Sequence, residues 1–442
     1  MEFIYLLVVI LFIIIATVKF KVHPIFSLIL AAIISGLCIG LNPDEILSTI
    51  AEGFGKTLSS IGLVIAFGTI IGIFLEKTGS TSVLANGILS WIGMKRSPLA
   101  INLAGFIISI PVFCDSGFII LSSINKAISK KSGIPLLVYA IALSTGLYAA
   151  HVFVPPTPGP LAAAAILEAD LGTVLILGII VAIPVSLMGY VWARYIGKSL
   201  TEQITEASDS IKEEVKHEID NITFTRALLP LVVPIFLIAL KSIADYPTKP
   251  FGNEIWYQVF NFIGNPIIAL LIGVLFAYAL TIKTPSSTRT KWVSGAFKQA
   301  GEIVLITGAG GAFGAILRTF DIASLLNFES SSGLLGLVIC FVISAILKSA
   351  QGSSTVAIIT TAAIIAPLLS IFGLQAVTEK ALCVLAIGAG AMTVSHVNDS
   401  YFWVVSQFSN MSVKNTLRGH TLATLFQGLT GILVILLLYQ IL

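Results

Sequence analysis

Four short polar stretches interrupt an otherwise apolar chain, and they hold the candidate residues for ligand binding and proton transfer. They are residues 115–117, 151–160, 348–355 and 395–400. An ionisable group within a membrane is costly to bury and is a candidate for binding or proton transfer. The sequence predicts that these stretches meet in one site.

The first stretch is predicted to form the tip of a hairpin at Cys114–Gly117. Asp115, Ser116 and Gly117 follow Pro111 in a composition typical of a turn. Backbone N–H groups of the following helix would point from such a tip toward an anion. The alternative is a capping turn, in which Asp115 only satisfies helix N–H groups.

The second stretch, His151–Pro160, has four prolines in six residues, so no helix continues through it. At membrane depth a broken backbone is tolerated where it lines a cavity or is packed inside protein. The break predicts a binding site in which His151, Thr157 and Gly159 approach the ligand. A purely structural kink is the alternative.

The third stretch forms the predicted tip of a second hairpin, with three hydroxyls suited to a carboxylate or a sugar hydroxyl. Its members are Gly352, Ser353, Ser354 and Thr355. Helix capping would explain the hydroxyls equally. Lys348, one turn earlier, either balances an anionic substrate or pairs with a carboxylate such as Asp115 or Asp399.

The fourth stretch contains His396, Asn398 and Asp399. His396 and Asp399 share a helix face if the segment is helical, and a histidine beside a carboxylate could relay a proton. We therefore predict proton coupling at His396 and Asp399 and substrate contact at Asn398. The alternative is a hydrogen-bonded pair that fixes a kink.

Composition places these stretches in a membrane. Hydrophobic residues make up 56% of 442 positions, charged residues only 11%, and the mean hydropathy is +1.00. Runs long enough to cross a bilayer recur throughout. The pattern predicts an all-α polytopic membrane protein with about ten full crossings and two re-entrant hairpins.

The distribution of basic residues predicts the orientation, because loops inside the cell are enriched in Lys and Arg. With the N-terminus outside, 19 of the 25 basic residues fall inside. The other six are Lys56, Lys241, Lys249, Arg318 and Lys380 outside and Lys348 within the membrane. Both termini are thus expected outside a bacterial inner membrane.

The chain divides into two similar halves, 1–196 and 227–442, joined by a hydrophilic cytoplasmic linker at 197–226. Gly68-x-x-x-Gly72 recurs as Gly310-x-x-x-Gly314, and His151 is matched by His396. On the predicted orientation the two glycine motifs run in opposite directions. The sequence therefore predicts two inverted-topology repeats, each with a hairpin and a broken helix, as in secondary transporters.

At the four stretches the chain resembles the gluconate:proton symporter family, the Gnt permeases, over nearly its full length. The matching segments are Phe113–Leu121, His151–Pro160, Ala162–Ala165, Ala350–Ala357 and Ser395–Trp403. The resemblance implies the ion-transporter type of fold, hairpins at the substrate site, a homodimer and proton-coupled uptake of a small hydroxy-carboxylate. Relatives of this family carry gluconate, other sugar acids and D-serine.

The chain departs from that family within the site. Where family members carry Glu, a second His, Arg and Gly, this chain has Asp115, Thr157, Lys348 and Tyr401. A shorter carboxylate and a bulkier tyrosine would reshape the pocket, and the missing histidine removes one titratable group.

The expected function is secondary active uptake of gluconate, a related sugar acid or glycerate. Alternatives are a carrier of D-serine or another small amino acid, and a sodium-coupled organic-anion carrier. The expected partners are the organic anion, a proton, the lipid bilayer and a second copy of the chain, with no nucleic acid. No Walker motif, dinucleotide fingerprint or metal-ligand spacing is present, so neither a cofactor nor enzymatic activity is expected.

Overall fold

The computed structural model describes residues 8, 9, 11–13, 15, 16, 19–199, 222–245, 255–317, 319 and 333–442, and their regular elements are all helices. In the first half these are α1 (Pro24–Cys38), α2 (Pro43–Lys77), α3 (Ser80–Ile92), α4 (Ser97–Ile108), α5 (Cys114–Ser132), α6 (Leu136–Phe153), α7 (Pro158–Ile166) and α8 (Leu171–Ser199). In the second half they are α9 (Phe224–Ala244), α10 (Ile255–Ile263), α11 (Pro266–Ala279), α12 (Ser286–Leu317), α13 (Gly333–Gln351), α14 (Ser354–Ile365), α15 (Val377–Met392), α16 (Ser400–Phe408), α17 (Val413–Thr416) and α18 (Leu422–Ile441).

Seven helical segments of the described residues are long and apolar enough to cross a membrane, and the pair α10 and α11, bent by 63°, adds an eighth if it counts as one span. The all-α membrane fold is therefore confirmed. The count of about ten crossings and the inverted relation of the halves stay predictions. Residues 200–221, most of the predicted linker, lie outside the described residues.

Helix α2 shows how local sequence sets an element. Asn42 caps it: its side chain accepts from the Glu45 N–H at 2.9 Å, while the Glu45 carboxylate accepts from the Asn42 N–H at 3.2 Å. Pro43 occupies the first turn, where no donor is needed. Gly79, at φ +72°, separates α2 from α3. With 35 residues, α2 extends for about 50 Å and lies along both cavities described below.

The two predicted hairpins correspond to α4 with α5 and α13 with α14, and the helices of each pair pack against each other. The predicted position of the first tip is wrong by a few residues. Its turn covers residues 109–113, and Asp115–Gly117 already form the first turn of α5. Pro111 carries no N–H and cannot continue α4, so the chain turns there and the next helix starts at Cys114.

Two helical spans are broken near the hairpin tips. The first runs from α6 to α7 through residues 154–157, and the second from α15 to α16 through residues 393–399. Helix α2 packs on the first break and the first tip through glycines. Gly68 lies against Pro156, and a Cβ on Gly72 would stand 2.2 Å from the Pro111 carbonyl oxygen. The repeated glycine motif is thus a close-packing device that holds the first tip and break together.

Candidate functional site

The core of the candidate site is a buried ion pair at the second hairpin and the second break. Lys348 lies in the last turn of α13 and is 1% exposed, and its Nζ donates to Asp399 Oδ2 at 2.6 Å and to the Gly352 carbonyl at 2.7 Å. Among the described residues, Lys348 is the only buried Lys or Arg, and Asp399 is the only buried Asp or Glu. Two buried charges cost several kcal/mol each in lost hydration unless paired, so each holds the other in place.

The backbone around this pair lets the tip of the second hairpin pack closely against the second break. Gly352 has φ +81°, and a Cβ there would stand 2.1 Å from the Asn398 carbonyl oxygen. Only glycine fits that conformation and that approach without strain. Asp399 is the N-cap of α16, its Oδ1 accepting from the Tyr401 N–H at 3.0 Å. The carboxylate is thus held by the start of α16 and by Lys348 at once.

Residues of the first half approach the same centre. The Lys348 Nζ lies 5.9 Å from the centroid of the Tyr148 ring, which in turn stacks on His151 at 6.5 Å. His151 is 6% exposed, and its Nδ1 is buried with no hydrogen-bond partner in the described part of the chain. Asp115 interacts electrostatically with Asp399 and Lys348. The structure thus brings Asp115, His151 and Asp399 into one electrostatic cluster.

The Oδ1 atom of Asp115 is also buried without a hydrogen-bond partner within the described residues. Its helix, α5, has no side-chain cap at Phe113, so its first N–H groups are available to an anion. Ser116 is half-buried beside it. The first tip therefore offers backbone donors together with an acid.

The hydroxyls of the third stretch divide between capping and the site. Ser353 is the N-cap of α14, accepting from the Val356 N–H at 3.4 Å. Ser354 is buried within hydrogen-bonding reach of Tyr148, and Thr355 is half-buried. The capping alternative holds for Ser353, whereas Ser354 joins the cluster around Lys348.

Three predicted site residues also have packing contacts. The Thr157 hydroxyl donates to the Val154 carbonyl at 2.6 Å. A Cβ on Gly159 would stand 2.7 Å from Ile358 of α14, and one on Gly117 would stand 2.7 Å from Leu147 of α6. Their small size lets the hairpins and breaks approach one another.

The predicted helix face shared by His396 and Asp399 is wrong, because residues 393–399 are not helical. The His396 Nε2 lies 3.0 Å from the Ser349 carbonyl oxygen, to which the exposed Asn398 side chain also donates at 2.7 Å. Asp399 instead pairs with Lys348. The two predicted coupling residues therefore have different partners at the end of α13.

Sequence reasoning missed a second partner of Asp399. The Ser395 hydroxyl donates to Asp399 Oδ2 at 2.5 Å, and Ser395 Oγ lies 3.2 Å from His420 Nε2. His420 is fully buried. A histidine in an apolar span was the available signal, but Lys414 and Arg418 nearby made the segment resemble a cytoplasmic loop.

Two of the cavities that α2 lines bear on the site. One of about 760 Å³ has the exposed pair of Lys56 and Glu168 among its lining residues, with Nζ and Oε1 2.7 Å apart. The other, of about 10 Å³, is lined by His151 and Thr157 and has room for about one water molecule. On α2, the lining of the large cavity ends at Val64. The lining of the small cavity begins one helical turn later, at Gly68. No cluster of His, Cys, Asp or Glu in the described ranges could hold a metal ion.

The profile of the GntP family permeases matches residues 1–442. The chain belongs to this family. It is 33% identical to the gluconate permease of Pseudomonas aeruginosa, over 99% of this chain and 97% of that protein. It is 32% identical to two proteins of Escherichia coli: the D-serine transporter DsdX, over 97% and 96% of the two chains, and the inner membrane permease YgbN, over 94% of each. The resemblance to the Gnt permeases is confirmed, and the chain is a multi-pass inner-membrane permease rather than an enzyme.

The fold resembles a solved transporter structure. The YdaH transporter of Alcanivorax borkumensis superposes with a TM-score of 0.65 at 14% identity, covering 91% of this chain and 90% of that one. This likeness concerns the fold alone.

Proposed function

We propose that this permease takes up a small hydroxy-carboxylate, such as gluconate, a related sugar acid or glycerate, together with a proton. The buried pair of Lys348 and Asp399 is the observation that carries this proposal. Within the described residues Asp399 is the carboxylate that pairs with Lys348, and a titratable partner of this kind can be exchanged for the carboxylate of a substrate.

The charge balance of the site explains the coupling. While Asp399 is ionised, it neutralises Lys348 and competes with any anion for that ammonium group. When Asp399 takes up a proton, Lys348 keeps its charge and needs a new partner, because an unpaired buried charge is strongly unfavourable. A substrate carboxylate supplies that partner. One anion and one proton then enter together without changing the net charge of the site.

The surrounding groups suit the rest of such a substrate. The hydroxyls of Ser354 and Thr355 can donate to and accept from a substrate hydroxyl, and the first N–H groups of α5 can donate to one. Asp115 and His151 carry buried atoms without hydrogen-bond partners in the described residues, and a polyhydroxylated ligand would satisfy them. His396 and Asn398, on the more open side of the second break, stay candidates for substrate contact.

On the proposed orientation, with both termini outside, the larger cavity would lie at the outer side of the membrane. The substrate would enter there and pass Gly68 once the wall between the two cavities opens. A homodimer is proposed from the family resemblance.

The test is thermal stabilisation of the purified protein by gluconate, glycerate, other sugar acids, dicarboxylates and D-serine at two pH values. A shift with a hydroxy-acid that grows at the lower pH is expected. Stabilisation that depends on sodium and not on pH would refute proton coupling. No stabilisation by any acid of the panel would refute the substrate class.

D-serine is the second candidate, and the position of Asp115 favours it. Its Oδ1, which has no hydrogen-bond partner among the described residues and lies near Lys348, could receive the ammonium group of a zwitterion whose carboxylate binds the lysine. Competition by D-serine for uptake of the best hydroxy-acid distinguishes the two. In Asp115→Asn, D-serine binding should be lost, whereas a hydroxy-acid should still bind.

A further inference from the structure

His420 occupies an unusual place in the fold. It lies in the π-helical turn Leu417–Thr421 between α17 and α18, and it is 0% exposed. Such turns are rare and frequent at functional sites. Both ring nitrogens are engaged: Nδ1 lies 3.2 Å from Ser144 Oγ on α6, and Nε2 lies 3.2 Å from Ser395 Oγ.

These contacts form a continuous hydrogen-bonded chain that ends at the ion pair. Ser395 gives its hydroxyl hydrogen to ionised Asp399, so its oxygen can only accept from His420. The Nε2 atom of neutral His420 therefore carries the hydrogen, and Nδ1 is the acceptor. The Ser144 hydroxyl lies within donating distance of both Nδ1, at 3.2 Å, and the Ile141 carbonyl, at 3.1 Å. From His420 onward, each donor points toward Asp399.

The groups around His420 do not compete with the hydrogen bonds that run from it toward Asp399. Asp399 and Lys348 are the charged groups that act on it, and they are paired with each other. From α16, the Tyr401 ring meets the imidazole edge-on at 5.3 Å. From α8, the Trp192 indole donates to the Gly419 carbonyl.

We propose that His420 is the relay through which Asp399 gains and loses its coupling proton. A proton arriving at Nδ1 makes the imidazolium. Its Nε2–H then passes to Ser395 Oγ as the Ser395 hydrogen passes to Asp399. The step leaves a neutral carboxylic acid, an intact serine and a neutral histidine protonated at Nδ1, and release of the proton reverses it. This inference rests on the proposed proton-coupled uptake and assigns its proton path.

A relay makes a prediction that a structural bridge does not. Exchange of substrate across the membrane needs no net change in the protonation of Asp399, because one anion can replace another at Lys348 while the site is open to water, and the carrier then returns loaded and protonated. Net accumulation requires Asp399 to release its proton in every cycle. Loss of the relay should therefore abolish accumulation and spare exchange.

The test uses His420→Gln in proteoliposomes, with the hydroxy-acid that stabilises the protein best. Glutamine can keep one donor and one acceptor contact but cannot titrate. Accumulation driven by a pH gradient should fall by roughly 100-fold, while exchange of external labelled for internal unlabelled substrate stays within about twofold of wild type. Ser395→Ala, which removes the middle link, should show the same split. The matched control is His23→Gln, at the exposed cap of α1, and it should keep both activities.

A parallel loss of exchange and accumulation in both variants would assign His420 a structural role and overturn the inference. Wild-type accumulation by His420→Gln would overturn it as well. Wild-type protein that neither exchanges nor accumulates any acid of the panel would instead refute the proposed function, so the two failures are distinguishable.

Discussion

Removing either charge of the buried pair should destabilise the protein, and removing both should restore most of the loss. Lys348→Met keeps the length of the side chain but leaves Asp399 ionised with only Ser395 and the Tyr401 N–H as donors. Asp399→Asn keeps the helix cap but leaves a buried ammonium group without a counter-ion. In the double variant neither charge remains.

The magnitude follows from burial. Breaking a buried pair by removing one partner costs about 3–5 kcal/mol. An unfolding entropy of about 2.1 cal/mol/K per residue over 442 residues gives about 0.9 kcal/mol/K. Each single variant should therefore melt about 3–5 °C below wild type, and the double variant within about 2 °C of it.

The assay is thermal unfolding of the purified wild type, both single variants and the double variant in one detergent. Acidification should reduce the difference in melting temperature between Lys348→Met and wild type, because a protonated Asp399 carries no charge to be buried. All three variants should lose accumulation. The pairing would be refuted if the double variant lost as much melting temperature as the two single variants together. It would also be refuted if the single variants melted at the wild-type temperature.

Three further substitutions separate buried contacts from exposed ones in the same melting assay. Gly352→Ala should cost about 1–3 kcal/mol and abolish uptake, because its φ is positive and the new Cβ would overlap the Asn398 carbonyl; unchanged melting would contradict this. Tyr401→Phe should cost about 1 kcal/mol, since it removes the hydroxyl that donates to the Ser144 carbonyl at 3.0 Å; a stabilised variant would contradict the contact. Lys56→Met should change stability by less than about 1 kcal/mol, because its ion pair is exposed; a larger loss would show that this pair holds the cavity closed.

Much of the fold follows from apolar runs punctuated by prolines and glycines. The break after Phe153 was predictable, because four closely spaced prolines exclude a helix. The second hairpin was predictable from Gly352 and the hydroxyls after it. The first tip was misplaced, because Asp115 and Ser116 suit a turn and a first helical turn equally, and Pro111 decides between them.

The pairing within the site was less predictable. Lys348 and Asp399 are 51 residues apart, and the sequence left Asp115 and Asp399 as equal partners for the lysine. The interpretation of His396 with Asp399 assumed a helix that the backbone does not form. His420 was missed because its inward-facing position depends on a π-helical turn. The spacing of apolar residues in an ordinary helix does not reveal such a turn.

The central claim is that a substrate carboxylate replaces Asp399 as the partner of Lys348 when Asp399 takes up a proton. Its most direct test is calorimetric titration of the best substrate into the purified protein, in buffers of different ionisation enthalpy. Wild type should take up about one proton for each anion bound near neutral pH, and Asp399→Asn should bind the same anion with no proton uptake. Binding to wild type without proton uptake, or equal uptake by both proteins, would contradict the account.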